Sequence, residues 1–317
     1  MKKKNVIAFV IAFVATLAVL GGGYYVLNTR FLQQKPKEES GESAITPESS
    51  SPSSTAVQPD EAVNFLLCGL DESELLTDVI MVASLDAANK TVKVFQIPRD
   101  TYVGIKRYPT GKINAVYGNA KSGQTRIGAL IEEIEYTFAL EIDHYATVNL
   151  SGLRQIVDSM GGVTVNIPQD IYFTSTKVLK KGEQVLDGEK AEWFVRYRAG
   201  YVTGDIGRMQ AQSLFLKACA KKVLSMSKAK MLSLLTQNYS NITTDLTLAE
   251  VIEYYGGIKD IDADSIEFFT PEGNGVMHEG YSVYTLDAKK TADLLNEHFR
   301  PYSDSVPAEE LNIIELS

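Results

Sequence analysis

The chain has 317 residues, of which 44% are hydrophobic and 22% charged, and 31 basic and 40 acidic side chains give it a net charge of −9. A chain of this length has room for one large domain or two small ones, each with an ample core. Its two cysteines and the lack of a CxxC pair exclude a disulfide scaffold and a zinc knuckle, and the acidic balance argues against broad electrostatic binding to nucleic acid.

The first thirty residues are predicted to form a membrane anchor. Three lysines precede an uncharged apolar stretch from Val6 to Leu27, which is long enough for a helix that crosses the hydrocarbon core. The lysines favour the cytoplasmic side, which places the rest of the chain outside. A cleaved signal peptide is the alternative, but cleavable apolar cores are about 7–15 residues long and no Ala-x-Ala site follows. We therefore predict an uncleaved, single-pass anchor over residues 1–30.

A disordered linker is predicted over residues 31–60, because Ser, Pro, Glu and Thr dominate and leave too little apolar surface to offset the entropy of ordering. The linker would tether the next domain near the outer membrane face. That folded domain is predicted over residues 61–302, with a C-terminal tail over residues 303–317. Residues after 60 carry 25 basic and 35 acidic side chains, so a cationic site there must be a local cluster.

Strands and helices are predicted to alternate along the folded domain. Three apolar runs come first, and a turn at Asn89-Lys90 joins the second and third. The predicted strands cover 63–69, 78–85, 91–97, 144–150, 163–167 and 265–269, and the predicted helices cover 124–140, 151–160, most of 187–255, and 287–299. This alternation predicts an α/β fold with a mixed sheet and helices on both faces. The apolar first strands belong in the middle of such a sheet.

Two acidic residues lie at strand ends around one short loop. Asp71 follows the first strand and Asp78 begins the second, so their carboxylates can converge. Oxygen ligands of this kind suit Mg²⁺. The alternative, in which both are ordinary loop acids or Asp78 caps a turn, stays open.

Arginines are concentrated around two further loops. Arg99-Asp100 follows Pro98 at the end of the third strand, and ligands of open sheets bind at strand ends. A loop salt bridge is the alternative there. Three of the nine arginines, Arg196, Arg198 and Arg208, lie within thirteen residues. The planar guanidinium matches two phosphate oxygens, so a diphosphate or polyanion site is favoured over a solvated charged loop. Glycines at 200, 204 and 207 would allow close backbone approach, and Gln212 lies one helical turn beyond Arg208.

Other polar and reactive residues are weaker candidates. Lys112-Ile113-Asn114 offers a cation in a glycine-flanked loop, but such tripeptides are common. The histidines are too scattered for a metal site or a triad, and Ser151-Gly152 resembles a helix cap more than a nucleophile. Both cysteines lie in apolar patterns typical of buried small hydrophobic residues. These histidines and cysteines are His144, His278, His298, Cys68 and Cys219.

Eight short motifs occur in the order seen in the LytR-CpsA-Psr family, which the chain resembles over residues 62–220, and the resemblance extends to about residue 300. Each motif alone is weak, but the ordered set is specific, and the anchor and linker fit the family. The motifs are Cys68-Gly69-Leu70-Asp71, Thr77-Asp78-Val79-Ile80-Met81-Val82, Ile97-Pro98-Arg99-Asp100-Thr101, Lys112-Ile113-Asn114, Gly161-Gly162-Val163, Leu186-Asp187-Gly188-Glu189-Lys190-Ala191, Arg196-Tyr197-Arg198 and Gly204-Asp205-Ile206-Gly207-Arg208.

The resemblance implies an α/β/α sandwich with a lipid-tail channel beside the sheet. It also implies an extracellular phosphotransferase of Gram-positive-type envelopes. Such an enzyme moves a glycopolymer, such as wall teichoic acid or capsule, from a polyprenyl-pyrophosphate carrier to the 6-hydroxyl of N-acetylmuramic acid in peptidoglycan. Family members are also described as transcriptional attenuators, but the predicted extracellular location argues against contact with DNA. Helix 124–140 is a candidate wall of the channel, with ordinary core packing as the alternative.

The functional residues of the family are carried over position by position. The resemblance implies that Asp71 and Asp78 bind Mg²⁺ or Mn²⁺. A carboxylate near the acceptor, Asp100 or Asp78, would take the hydroxyl proton, and Arg99 belongs to the same catalytic group. The residues expected to hold the pyrophosphate are Arg99, Lys112, Arg196, Arg198, Asp205, Arg208 and Gln212.

Two positions depart from the family pattern. Leu76 stands where an arginine usually precedes the Ser/Thr-Asp pair, and Ala211 where an arginine usually precedes the last glutamine. The loss of two cations would weaken binding or change the preferred polymer, although the main cluster remains. Two alternatives to the transferase stay open: a non-catalytic polyprenyl-phosphate-binding or regulatory protein, and a pyrophosphatase that uses water as the acceptor.

Overall fold

The structure is a computed structural model that describes residues 62–86, 89–250 and 262–316. The predicted anchor and linker, residues 1–60, lie outside these ranges. Within the ranges, no helix combines the length and the apolar character that a membrane span requires.

The described residues form twelve strands and six α-helices. The strands are β1 (Ala62–Leu70), β2 (Thr77–Asp86), β3 (Thr91–Gln96), β4 (His144–Val148), β5 (Val163–Ile167), β6 (Ile171–Tyr172), β7 (Val178–Leu179), β8 (Gly182–Leu186), β9 (Thr243–Thr244), β10 (Glu267–Phe269), β11 (Gly273–His278) and β12 (Tyr281–Leu286). The helices are α1 (Arg126–Phe138), α2 (Leu150–Ser159), α3 (Gly188–Arg196), α4 (Asp205–Leu224), α5 (Lys228–Asn238) and α6 (Ala288–His298).

Six strands build the central sheet in the order β10-β3-β2-β1-β4-β9. Strand β1 pairs antiparallel with β2 and parallel with β4, and β3 is antiparallel to β2. The carboxyl ends of β1, β3 and β4 therefore meet at one edge of the sheet, together with the amino end of β2. That edge brings the loop after β1, Asp78 and Arg99 close together.

Both faces of the sheet are covered by helices. On β1, Phe65 and Leu67 join a core with residues of α2 to α5, whereas Leu66 and Cys68 join a second core with α1 and α6. The alternation of side chains along a strand explains this division. The predicted α/β fold with a mixed central sheet is confirmed, and the apolar strands β1 and β2 lie in its middle.

Side-chain caps begin the helices next to the sheet edge. The Asn149 side chain accepts a hydrogen bond from Gly152 N and begins α2, while that of Asp187 accepts from Lys190 N and begins α3. Such caps satisfy amides that have no partner within the helix. The cap of α2 is thus Asn149, and the prediction that assigned the cap to Ser151-Gly152 was two residues late.

The prediction that the strand at 265–269 is the last one is wrong, because the hairpin of β11 and β12 follows it. Its turn contains Glu279 and Gly280, both with positive φ, a conformation that matches the twist of paired strands. Strand β8 and the two-residue strands β6, β7 and β9 were also missed. Strands of two residues carry too little alternation to be recognised.

His144 on β4 pairs with Asp245, just beyond β9, with 2.7 Å between Nδ1 and Oδ2. The hydrogen bond from Asp245 raises the pKa of His144 above its usual value. A raised folded-state pKa stabilises the fold fully below the unfolded pKa, and this contribution is lost as the pH rises through the folded value. We therefore expect the free energy of unfolding to decrease as the pH rises above about 6.5.

Denaturant unfolding of the full chain at several pH values measures this effect. His144→Gln should abolish that part of the pH dependence while changing the stability little at high pH. An unchanged pH dependence in the variant would contradict the prediction.

Candidate active site

An open cavity lies between the central sheet and the helices α2, α3 and α4. Its empty volume, including the open side, is about 670 Å³. Most of its lining is apolar, and four polar or charged side chains of the predicted site share it: Asp78, Arg196, Arg208 and Gln212. The apolar residues of the lining include Leu67, Val79, Val148, Leu150, Leu153, Val195, Phe215 and Leu216. A charged end beside an apolar space suits an amphiphilic ligand.

The cavity corrects the candidate wall of the channel. Helix α1, which corresponds to the predicted helix 124–140, does not line the cavity. Its buried residues Ile127, Leu130 and Ile134 belong to the core on the opposite face of the sheet. The alternative of ordinary core packing therefore holds for α1. Helices α2 to α4 line the cavity instead.

Arg99 lies at the centre of a group of carboxylates. Its guanidinium pairs with Asp78, and Nε lies 3.9 Å from Asp100 Oδ1 and 3.8 Å from Asp205 Oδ1. Lys112 Nζ reaches the same Asp100 oxygen at 3.0 Å. Although burial acts in the opposite direction, the charges of Asp78 and Asp100 raise the pKa of Arg99. Lys112, a weak candidate on sequence grounds, thus contributes a cation to this cluster.

Asp205 joins three arginines at the start of α4. Its Oδ1 lies 2.7 Å from Arg208, 3.8 Å from Arg99 and 3.9 Å from Arg198. Arg208 is only 5% exposed, and burial lowers the pKa of its guanidinium although Asp205 opposes that effect. Because the one carboxylate of Asp205 faces three guanidinium groups, it compensates the positive charge of Arg208 only in part.

Several buried charged atoms here have no hydrogen-bond partner among the described residues. They are Arg99 Nε, both carboxylate oxygens of Asp205, and Nε and an Nη of Arg208. Arg208 and Asp205 are within ion-pair distance, but they are not aligned as a hydrogen bond. Unsatisfied buried polar groups are costly, so a cluster of them at one cavity indicates a ligand site.

Arg196 and Gln212 are fixed by contacts at the end of α3. Glu192 Oε1 lies 2.6 Å from Arg196, and Glu192 Oε2 lies 3.0 Å from Arg154 on α2. Gln212 donates from Nε2 to the carbonyl of Val195 at 3.1 Å and thereby joins α4 to α3. Gln212 does lie on the same buried face of α4 as Arg208, which agrees with the one-turn spacing of the two residues.

Asp71 stands apart from the other predicted residues. Its carboxylate accepts hydrogen bonds from Leu75 N at 3.1 Å, Leu76 N at 2.9 Å and Ser73 Oγ at 2.7 Å. Although desolvation acts the other way, these hydrogen bonds lower the pKa of Asp71. Asp71 therefore stabilises its own loop, whereas Asp78 lines the cavity. Within the described ranges, no three acidic, histidine or cysteine side chains form a group that could hold a metal ion.

Two of the three glycines of the arginine loop serve packing inside the protein, whereas Gly204 has a positive φ and no neighbour within 4 Å of the position that a side chain would take. A side chain at Gly207 would meet the Tyr201 side chain within 2.5 Å, and one at Gly200 would meet the Tyr197 hydroxyl within 2.1 Å. The close backbone approach that these glycines allow is thus made by tyrosine side chains of the same protein segment and not by a ligand. Both cysteines are buried and free, as predicted, and burial raises the pKa of each thiol.

Two residues beside the predicted site, Glu192 and Arg154, were not predicted from the sequence. Glu192 precedes Arg196 by one helical turn, a spacing that pairs opposite charges, so a search for such pairs would have found it. Arg154 gives no comparable signal, because only the packing of α2 against α3 brings it near.

The family model described as the LytR_cpsA_psr family matches residues 26–300. The chain belongs to this family. The resemblance stated from the eight motifs is confirmed.

Curated relatives support the same assignment. This LytR-CpsA-Psr protein is 30% identical over 304 residues to the polyisoprenyl-teichoic acid--peptidoglycan teichoic acid transferase TagU of Bacillus mycoides, a match that covers 94% of the chain and 97% of the relative. It is 32% identical over 205 residues to the similarly named transferase TagV of Bacillus subtilis, which covers 60% of the chain and 51% of the relative. The prediction of an enzyme of the transferase class is confirmed by these relatives.

The fold agrees with solved structures. The crystal structure of B. subtilis TagV matches with a TM-score of 0.66 and 25% identity, and the match covers 80% of this chain and 99% of that one. The match includes the α/β architecture with its mixed sheet.

Proposed function

We propose that the protein is an extracellular phosphotransferase that moves a glycopolymer from a polyprenyl-pyrophosphate carrier to peptidoglycan. One observation carries this proposal: the buried Arg208 and the partly exposed Arg196 line a cavity whose other lining residues are mostly apolar. A carrier lipid has the matching two parts, a diphosphate and an apolar tail. The names of the curated relatives support a teichoic acid as the polymer and peptidoglycan as the acceptor.

The diphosphate would bind between Arg196 and Arg208, which line the cavity, and Arg99 and Arg198, which share Asp205 with Arg208, with Lys112 and Gln212 beside them. Guanidinium groups form paired hydrogen bonds with phosphate oxygens. Asp205 holds Arg198 and Arg208 toward one point in the absence of that anion. Phosphoryl transfer depends mainly on positioning and on neutralising charge, and this cluster offers both.

The chemical step follows from that placement. The 6-hydroxyl oxygen of N-acetylmuramic acid would attack the phosphorus that bears the glycan. The bond from this phosphorus to the bridging oxygen would break, and polyprenyl phosphate would leave. Asp100 or Asp78 would accept the hydroxyl proton. Asp78 lines the cavity, whereas Asp100 lies beside Lys112.

The donor types at the site fit a divalent cation. Mg²⁺ usually binds through one or two carboxylates and completes its shell with waters and substrate phosphates. Asp78 and Asp205 offer such carboxylates, but Asp78 pairs with Arg99 and Asp205 Oδ1 faces three arginines, so a cation would have to displace one of these contacts. Asp71, the other ligand implied by the resemblance, would first have to release its loop amides. A bound Mg²⁺ or Mn²⁺ would neutralise charge on the phosphate oxygens.

The location follows from the substrates. Peptidoglycan lies outside the membrane, so the folded domain would be extracellular, held by the predicted anchor over residues 1–30 with its N-terminus in the cytoplasm. The carrier tail would then pass from the bilayer into the apolar cavity.

Transfer by the full chain in detergent is the direct test. The protein is incubated with a polyprenyl-pyrophosphate-linked glycan and peptidoglycan oligomers, with and without Mg²⁺. Glycan covalently linked to peptidoglycan supports the proposal. Phosphate release that needs no acceptor would indicate a pyrophosphatase, and binding without turnover would indicate a binding or regulatory protein; either outcome contradicts transfer.

The assignment of the tail to the cavity has its own test. Leu150 lies in the cavity lining at the first position of α2, and Leu150→Trp would fill part of the space. We expect the KM for the lipid-linked donor to rise about tenfold, because less apolar tail can be buried, while binding of inorganic pyrophosphate stays unchanged. Equal effects on both ligands would contradict a tail site in this cavity.

A further inference from the structure

Glu192 is a buried acid that pairs with Arg196, one of the arginines proposed to bind the diphosphate. Its side chain is 10% exposed, and it lies on α3 one turn before Arg196. The two carboxylate oxygens are shared between two guanidinium groups, with Arg196 2.6 Å from Oε1 and Arg154 3.0 Å from Oε2. A buried charge of this kind is kept only where it is fully paired. Glu192 therefore joins α2 to the last turn of α3.

Arg196 gains a defined orientation from this contact. Its side chain is 34% exposed and lines the cavity with Asp78 and Arg208, and a long side chain at the end of a helix otherwise has many rotamers. Only one of its Nη atoms is hydrogen-bonded by Glu192. The other lies 3.7 Å from Glu72, whose side chain is 85% exposed. Part of the guanidinium therefore remains available for an anion.

The charge of Arg196 is not cancelled by Glu192. One carboxylate serves two guanidinium groups, so Glu192 leaves the group that it forms with Arg154 and Arg196 positive, and the other nearby acid, Glu72, is exposed to solvent that screens its charge. Positioning by Glu192 thus leaves the attraction for phosphate intact. With Leu76 and Ala211 in place of two family arginines, each remaining cation of the site carries a larger share of the binding.

We propose that Glu192 is a positioning residue, which holds the Arg196 guanidinium in the orientation that binds the donor diphosphate. This inference rests on the proposed function of the site. Glu192 itself touches no substrate; it acts through Arg196 and depends on Arg154 for its own neutralisation.

The test compares Glu192→Gln with a matched control on the same helix. Glu189→Gln removes an exposed acid that pairs with Lys177 at 3.1 Å, and it should change nothing. In Glu192→Gln we expect the donor KM to rise about tenfold, the usual worth of one charge-assisted hydrogen bond, with kcat within about twofold. Glu192→Asp, which retains the charge with a shorter reach, should recover part of the loss. An unchanged or lowered donor KM in Glu192→Gln would overturn the inference.

A double-mutant cycle separates positioning from general destabilisation. If Glu192 acts through Arg196, Glu192→Gln should have no further effect on the donor KM in an Arg196→Ala background, whereas additive effects would refute the coupling. Calorimetric binding of inorganic pyrophosphate to the full chain separates the two proposals. No binding by the wild type contradicts the diphosphate site itself, whereas equal binding by wild type and Glu192→Gln contradicts only the role of Glu192.

Discussion

Replacement of Arg208 by alanine is expected to lower the rate of glycopolymer transfer by about a hundredfold to a thousandfold, the range measured for the loss of one preorganised donor to a developing anion. Arg208 is buried, and Asp205, which also faces Arg99 and Arg198, compensates its charge only in part. A donor held in a dry site interacts more strongly with phosphate than the same donor in water. The rate loss should therefore exceed that for the more exposed Arg198.

Two companion variants make the Arg208 test specific. Arg208→Lys keeps the charge but loses the planar pair of donors, so its rate should fall between those of wild type and alanine. Lys221→Ala alters an exposed cation of the same helix α4, 72% exposed, and should leave transfer unchanged. Circular dichroism checks that each variant is folded. An Arg208→Ala rate within tenfold of wild type in a folded protein would remove Arg208 from the diphosphate site.

The second large effect is expected for Asp78→Asn, which should reduce transfer by about a hundredfold and raise the Mg²⁺ concentration needed for half-maximal rate. Asp78 pairs with Arg99 and lines the cavity. Its replacement would free Arg99 from its partner and remove a carboxylate from the proposed metal site. Titration of the transfer rate with Mg²⁺ measures both changes.

Asp71→Asn is the matched comparison, because Asp71 lies at the other end of the same short loop. Its carboxylate accepts hydrogen bonds from two loop amides. We expect a loss of stability of about 1 kcal/mol, as for a lost helix cap, with little change in the Mg²⁺ requirement. If Asp71→Asn raises that requirement as much as Asp78→Asn does, Asp71 is a metal ligand, as the resemblance implies, and its loop hydrogen bonds break on binding.

The two family arginines missing from this chain occupy different surroundings. Ala211 is buried in the core beside α3, whereas Leu76 is partly exposed in the loop that Asp71 stabilises. The site that remains consists of Arg99, Lys112 and the three arginines around α3 and α4. These five cations face four carboxylates, Asp78, Asp100, Asp205 and Glu192, so the cations outnumber the acids by one before a diphosphate binds.

The order of elements and most of the site could be predicted from the sequence alone. Apolar runs specified β1 to β3, and strand ends are where a sheet exposes backbone and polar side chains together. Arg99, Arg198 and Arg208 could thus be assigned to one site, and the structure does bring them to Asp205. Glu192 was within reach as an i, i+4 partner of Arg196. These features depend on local spacing, which the sequence contains directly.

Only the tertiary structure decided which helices line the cavity and which acid faces it. The apolar stripe of α1 has the same periodicity whether the helix borders a cavity or packs against the sheet, and it packs in the core. Asp71 and Asp78 looked equivalent in sequence, but the loop between them turns one carboxylate toward its own amides and the other toward Arg99. A cavity is space that neighbouring side chains fail to fill, and the direction of a carboxylate depends on the nearest donors. Both properties arise from contacts between residues distant in the chain or from loop geometry, which local spacing does not specify.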